Sequence, residues 1–345
     1  MDESRGAGEL ERLHPGRHAR RDDAAGNDAS WCAAARGRAA GHPPLIEFQG
    51  VGHTYRSLLG RTIRAVDDFS LTIGESEVFG LAGPNGAGKS TLISLLLGYL
   101  EPTDGTVRIA GMRPRAFVES HGMGYVSELV AIPPRWKLEE TLTRYAILAG
   151  IPRRDRRDRI AQVTALLGLE EQRGKRVKQL SKGNLQRLGL AQALLRDEQV
   201  IILDEPTHGL DPVWTQRFRD VVEGLRRPGR AIFIASHNLD ELQRLADRVA
   251  IIDRGKLQRI VEPRAGASVF AATPYLLTMA TGAEHVAAVF PGAQPRGEGE
   301  FVTPSMNLAQ LNAGIAALVQ RGALIRSVGP SHSVLEQHFR EAVRE

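Results

Sequence analysis

At 345 residues, 42% of them apolar and 25% charged, the chain has the make-up of a globular protein of one large or two modest domains. No uninterrupted apolar run approaches the ~20 residues needed to cross a bilayer, and one cysteine, Cys32, excludes an internal disulfide framework. The 45 basic residues exceed the 40 acidic ones by only +5, and no aromatic residues interleave the basic clusters, so no nucleic-acid partner is expected.

Residues 1–44 are rich in Arg, Ala, Gly and Asp and hold a single aromatic, Trp31. They show no sustained period and no apolar segment of a secretory signal, which predicts a disordered tail. From Leu45 onward, strand and helix patterns alternate to residue 262, the grammar of an α/β domain. The apolar and alternating runs predict strands at 45–50, 69–73, 77–82, 106–110, 123–126, 199–204, 231–235 and 248–252. Amphipathic periods predict helices at 89–97, 139–149, 156–167, 184–196, 213–226 and 239–246. The largely helical stretch from Gly124 to Arg196 should stand as a lobe apart from the sheet.

The apolar run at 77–82 leads into Gly83-Pro84-Asn85-Gly86-Ala87-Gly88-Lys89-Ser90-Thr91. Strand, glycine-rich loop and helix start, with Lys-Ser-Thr at the junction, form a phosphate cradle. Glycines let several backbone N–H groups turn toward one anion, and the following helix aims its positive end there. Lys89 supplies a point charge for the β- and γ-phosphates, and the Ser90 hydroxyl is placed to ligate Mg²⁺. A second apolar run, Val200-Ile201-Ile202-Leu203, ends in Asp204-Glu205. A buried parallel strand would deliver Asp204 to the metal and Glu205 to the attacking water. A nucleoside triphosphate is the ligand this pairing implies.

Leu180-Ser181-Lys182-Gly183-Asn184 then precedes a helical run, twenty-three positions before Asp204. That order resembles the nucleotide-binding domains of ABC transporters, and in particular the ATPases of ABC-2-type and multidrug exporters. The resemblance covers roughly residues 45–260. It implies a P-loop NTPase with a RecA-like core, an antiparallel β subdomain and a helical lobe. It also implies ATP and Mg²⁺ as ligands. Tyr55 stands where the family stacks a ring on adenine; Glu128 holds the Q-loop position, as a coupling residue or metal ligand. Asp211 holds the D-loop position, and His237 is the switch histidine contacting the γ-phosphate. Ser181 and Gly183 belong to a second anion-binding face that closes on the nucleotide of a neighbouring subunit, so a dimer, most simply of identical chains, is implied. Three departures stand out. Glu replaces Gln at 128, which adds charge and removes an amide donor, and Lys182 and Asn184 replace the usual Gly and Gln. His208, in the turn before Asp211, reads as a solvated loop histidine.

The same resemblance implies a peripheral protein on the cytoplasmic membrane face that energises export through a separate transmembrane permease. The Pro-, Ile- and Trp136-bearing loop between Glu128 and Leu138 is a candidate docking surface; packing of Trp136 on its own lobe is the equal alternative. Another class, a soluble ABC ATPase of translation, repair or cofactor assembly, fits less well. Its translation-type members join two cassettes, and its chromosome-type members insert long coiled coils. The arginine clusters at 153–157 and 173–176 read first as solvated faces and second as surfaces near anionic lipid. Pro263 marks the start of a last domain, 263–345. Strands at 274–279, 300–303 and 323–328 alternate there with helices at 283–290, 307–321 and 332–343. This resembles the small C-terminal β/α domain of ABC-2-type export ATPases.

Overall fold

A computed structural model describes residues 44–57, 60–263 and 272–343; the expectations for residues 1–43, Cys32 among them, lie outside these. In chain order, β1 (Ile46–Arg56), β2 (Thr62–Ile73), β3 (Val78–Ala82), α1 (Lys89–Leu96), β4 (Asp104–Ile109), α2 (Pro114–His121) and β5 (Gly124–Val126) come first. Three lobe helices follow: α3 (Leu138–Leu148), α4 (Arg153–Leu166) and α5 (Lys182–Ala193). The chain then returns through β6 (Val200–Asp204), α6 (Pro212–Leu225), β7 (Ala231–Ser236), α7 (Leu239–Leu245), β8 (Arg248–Asp253) and β9 (Lys256–Val261). The C-terminal part holds β10 (Tyr275–Thr281), α8 (Val286–Val289), β11 (Gln294–Gly297), β12 (Glu300–Val302), α9 (Leu308–Gln320), β13 (Leu324–Pro330) and α10 (Val334–Val343).

The central sheet runs β5-β6-β7-β3-β8-β9, parallel except for β9. Its strands read as unbroken apolar runs because both faces are covered. Along β3, Val78 and Ala82 join one core while Phe79 and Leu81 join the other. The same alternation recurs in β6, with Ile201 and Leu203 against Val200 and Ile202. One core takes in the lobe helices, and the other packs α1 and the antiparallel sheet β2-β1-β4.

Some elements exceed the sequence expectations. β2 begins at Thr62 rather than Phe69, because its polar first half completes the ladder to β1, as in Thr54 opposite Arg64. β9 was not foreseen: an Arg254-Gly255 turn with positive φ folds it back on β8, though only Val261 of it is buried. α2 is held by a single buried side chain, Phe117.

The C-terminal part follows a β-α-β-β-α-β order, with an antiparallel sheet β11-β12-β10-β13. Its own core holds Leu277, Met279, Phe290, Leu311 and Leu318. The helix expected at 283–290 is a 3₁₀ turn at Ala283–His285 followed by the single turn of α8. β11 was missed because every residue in it is exposed and one is Pro295, as suits an edge strand. The last helix leaves this core. Leu335 of α10 is fully buried in the cluster that contains Leu242 and Leu245 of α7. Its backbone N–H donates to Gln243 Oε1 at 3.0 Å. Leu335→Ala should therefore lower the unfolding free energy by about 2–4 kcal/mol in urea titrations, whereas Leu166→Ala on the exposed side of α4 should change it by less than about 0.5 kcal/mol.

Candidate nucleotide site

Parallel register decides which residues meet. β5, β6, β7 and β3 are neighbours, so the segments leaving their carboxyl ends open on one crevice, the usual ligand position in such sheets. Glu128 follows β5, Asp204 and Glu205 end β6, His237 follows β7, and the loop 83–91 follows β3. A cavity of about 510 Å³ lies there, lined by Asn85–Ser90 loop residues together with Glu128, Asp204, Glu205 and His237.

The loop needs its glycines. Gly88 has φ +110°, and a Cβ on it would lie 2.5 Å from the Ala65 carbonyl oxygen. A Cβ on Gly83 would lie 2.5 Å from the carbonyl of Ile252. Lys89 Nζ donates to the carbonyls of Gly83 and Pro84 at 2.6 and 3.2 Å, which folds the ammonium back under the loop. Burial lowers the Lys89 pKa, and the carboxylates of Glu205, Asp204 and Glu128 oppose that shift.

Glu205 is the most tightly held group. Its backbone is left-handed, φ 47°, a conformation costing about 1 kcal/mol in a residue with a Cβ. The end of β7 over-determines it. The Glu205 N–H donates to the Ala235 carbonyl at 2.9 Å. Its carboxylate accepts from Ser236 Oγ at 3.0 Å and from the His237 backbone N–H at 2.8 Å, with His237 Nδ1 at 2.8 Å. The side chain is 7% exposed as a residue, so its aim is fixed by packing as well as by these bonds.

Burial, then the charges of Glu205 and Glu128, lift the Asp204 carboxyl to about 6, with Lys89 opposing. Three acids against one ammonium make an electron-rich wall suited to a hard divalent cation. Among the described residues, no group of three or more His, Cys, Asp or Glu forms a complete metal cage. Mg²⁺ needs no such group, since it takes one or two protein oxygens and fills its shell with phosphate and water. Asp204, Glu128 and the exposed Ser90 hydroxyl are the donors that face the cavity.

Other expected residues lie apart. Ser181 caps α5, its hydroxyl accepting from the Asn184 N–H at 3.2 Å, and Asp211 caps α6, accepting from the Trp214 N–H at 2.9 Å. Both are exposed, and neither they nor Gly183 line the cavity. Tyr55 is 43% exposed and sits at the edge, its hydroxyl 3.3 Å from that of Thr91. His208 is exposed in its turn, as expected of a solvated loop histidine; it also lines the cavity, and the Lys182 ammonium donates to its Nε2 at 2.5 Å. Ser236 was also missed; its only sequence signal was a polar residue ending the apolar run Ile232-Phe233-Ile234-Ala235 beside His237. In the Glu128–Leu138 loop, Ile132 packs on the lobe core and the Arg144 guanidinium covers the Trp136 ring at 4.5 Å. Leu129, 81% exposed, is what the loop presents.

Residues 66–208 match the family model described as ABC transporter. The chain is 39% identical over 215 residues to the uncharacterized ABC transporter ATP-binding protein YhcH of Bacillus subtilis, covering 62% of this chain and 68% of that one. It is 36% identical over 221 residues to the Nod factor export ATP-binding protein I of Sinorhizobium fredii, covering 64% and 62%. The matched segment thus spans about two thirds of these relatives' length. Among solved structures, a dimeric ATP-binding cassette in a post-hydrolysis state with ADP and phosphate superposes with a TM-score of 0.59 at 23% identity, covering 64% of this chain and all of that one.

The raised Asp204 pKa has a defined sign. The folded state holds this proton up to about pH 6, the unfolded chain only to about 3.8, so stability is lost as pH rises through the folded value. Asp204→Asn removes that cost. Thermal unfolding of the nucleotide-free protein should show it stabilised by roughly 1–2 kcal/mol at pH 8, after allowance for solvent screening, with the gain vanishing toward pH 4.

Proposed function

The chain belongs to the ABC transporter family of ATP-binding proteins, and from that membership we propose that it binds and hydrolyses ATP to drive export through a separate transmembrane permease. The observation that carries the proposal is the convergence of the 83–91 loop, Asp204, Glu205 and His237 on one cavity.

In this reading the loop amides and the N-terminus of α1 bind the triphosphate, and Lys89 turns its ammonium to the β- and γ-phosphates. Ser90 and Asp204, with Glu128 beside them, would hold Mg²⁺. The metal, when bound, offsets charge on the phosphate oxygens. Glu205, fixed by Ser236 and the His237 amide, orients and polarises the attacking water, and His237 contacts the γ-phosphate. Tyr55 stacks on adenine. Ser181, Gly183 and Asp211 face outward to complete the site of a second copy, which supports a head-to-tail dimer.

No helix among the described residues is long and apolar enough to cross a membrane, which supports a pore supplied by another chain. A groove lined by Leu97, Tyr99, Tyr125, Leu129 and Tyr145 is the candidate seat for that permease at the cytoplasmic face. The name of the Nod factor export relative supports the direction of transport.

Glu205→Gln should retain Mg·ATP, accumulate as a dimer in sizing, and hydrolyse at least about 100-fold more slowly than wild type; an unaltered rate would remove Glu205 from its role. Leu129→Glu should leave basal hydrolysis unchanged yet abolish co-purification with a multi-span membrane protein. Undiminished co-purification would move the docking surface elsewhere.

A further inference from the structure

The outer tip of the helical lobe, where α3 turns into α4, carries two large aliphatic side chains without cover. Leu148 is 80% exposed and Ile147 50%. Gly150, at φ +70° with open space where a Cβ would stand, makes the turn. After Ile151 and Pro152 comes Arg153-Arg154-Asp155-Arg156-Arg157-Asp158-Arg159.

Structural duties account for only part of this run. Arg156 Nε donates to the Ile151 carbonyl at 2.7 Å, and Arg159 donates to the carbonyls of Leu194 and Leu195, each at 2.7 Å. Arg154 lies 3.5 Å from Asp155 in an exposed pair. Arg153 and Arg157, one turn apart on the same stripe, make no ion pair or hydrogen bond among the described residues. The residues that α4 buries, Ile160, Val163 and Thr164, all lie beyond its first two turns. Cations in the first turn also work against the positive end of the helix dipole. These arginines therefore detract from the stability of α4, and a solvated helix would gain more from acids there.

The tip is continuous with the candidate permease groove. That groove is lined by Val118, Tyr145 and Gln192, and the next cleft by His121, Ala149 and Leu195. Each pair advances about one turn along the line of α2, α3 and α5. A permease seated in the groove would therefore have the tip beside it.

We propose that the α3–α4 tip is a membrane-contact surface for anionic phospholipid: Arg153, Arg154 and Arg157 bind headgroup phosphates while Leu148 and Ile147 enter the headgroup–acyl boundary. Guanidinium forks suit phosphate oxygens, and uncovered aliphatics beside them match the two terms of interfacial binding. The tip offers no aromatic ring for stacking bases. The proposal rests on the transport reading for the side of the membrane only.

The test is flotation of the full-length protein with protein-free vesicles of phosphatidylcholine, with or without phosphatidylglycerol. Wild type should bind only the anionic vesicles and detach at high salt. Arg153→Gln, Arg154→Gln and Arg157→Gln combined should weaken partitioning on the order of 100-fold. Leu148→Ser should weaken it several-fold, with the salt sensitivity kept. The Leu148 variant should unfold at the wild-type temperature and the triple variant at or slightly above it, since cations leave the first turn of α4, and both should hydrolyse Mg·ATP normally without vesicles. Equal binding to neutral and anionic vesicles, or full binding by the triple variant, overturns the proposal. Binding only to vesicles that contain the permease also overturns it and assigns the tip to a protein partner. Absent hydrolysis with anionic-vesicle binding intact would instead overturn the catalytic reading alone.

Discussion

Three carboxylates and one ammonium share the crevice at the ends of β5, β6, β7 and β3, and this imbalance constrains everything else. Asp204 is lifted to about 6 by burial and its acidic neighbours, so the wall already resists negative charge. A triphosphate brings several more negative charges. Lys89 alone cannot balance them, being one ammonium already set against three carboxylates. The remainder must come from backbone N–H groups, from the positive end of α1 and from a divalent cation. In the proposed reading nucleotide and metal are therefore coupled by electrostatics, on a loop whose Gly83 and Gly88 leave no room for a Cβ against the carbonyls of Ile252 and Ala65.

Holding such a wall in place needs a scaffold that does not yield. The parallel strands supply it by burying both faces in separate cores, with residues 78 and 79, 201 and 202, and 232 and 233 pointing opposite ways. Close packing on both sides leaves the strand ends little freedom. Glu205 shows the consequence, because its left-handed backbone persists only where neighbours over-determine it. Ser236 and the His237 amide, both from the next strand end, do so. Site geometry here is a property of strand order more than of any one loop.

This division explains what could be read from residues alone. Lys89, Ser90, Asp204 and Glu205 announce themselves because phosphate and metal chemistry demands particular side chains at the ends of apolar runs. The central strands were equally plain, their continuous Val/Ile/Leu runs admitting few other environments. Elements held by one anchor or by neighbours' ladders were not. α2 rests on Phe117, β9 on a tight turn, and β11 is an exposed edge with a proline. The role of Ser236 depends on β6 and β7 being adjacent, and that of His208 on the start of α5 lying against its turn, facts of tertiary topology that no local period records. Trp136 stayed ambiguous for the same reason: its cover, Arg144, comes from the next helix.

The residues the cavity does not gather carry a further implication. Ser181 and Asp211 each cap a helix and use a side-chain oxygen on that helix's own N–H, yet both remain exposed. A cap of this kind fixes the helix end while leaving its other amides free to meet an anion. Gly183 adds close approach: its Cβ position lies 3.2 Å from the Gly209 carbonyl, in the turn that carries His208. Through Lys182 and His208 this outward face is tied directly to the cavity's rim. The chain thus gathers the 83–91 loop and the carboxylates on an inward crevice and leaves two capped helix ends exposed outward, on elements that touch. In the proposed reading a second copy, arranged head to tail, would bring these exposed helix ends to the nucleotide, and closure of that pair is where binding energy would be turned into movement of a docked partner.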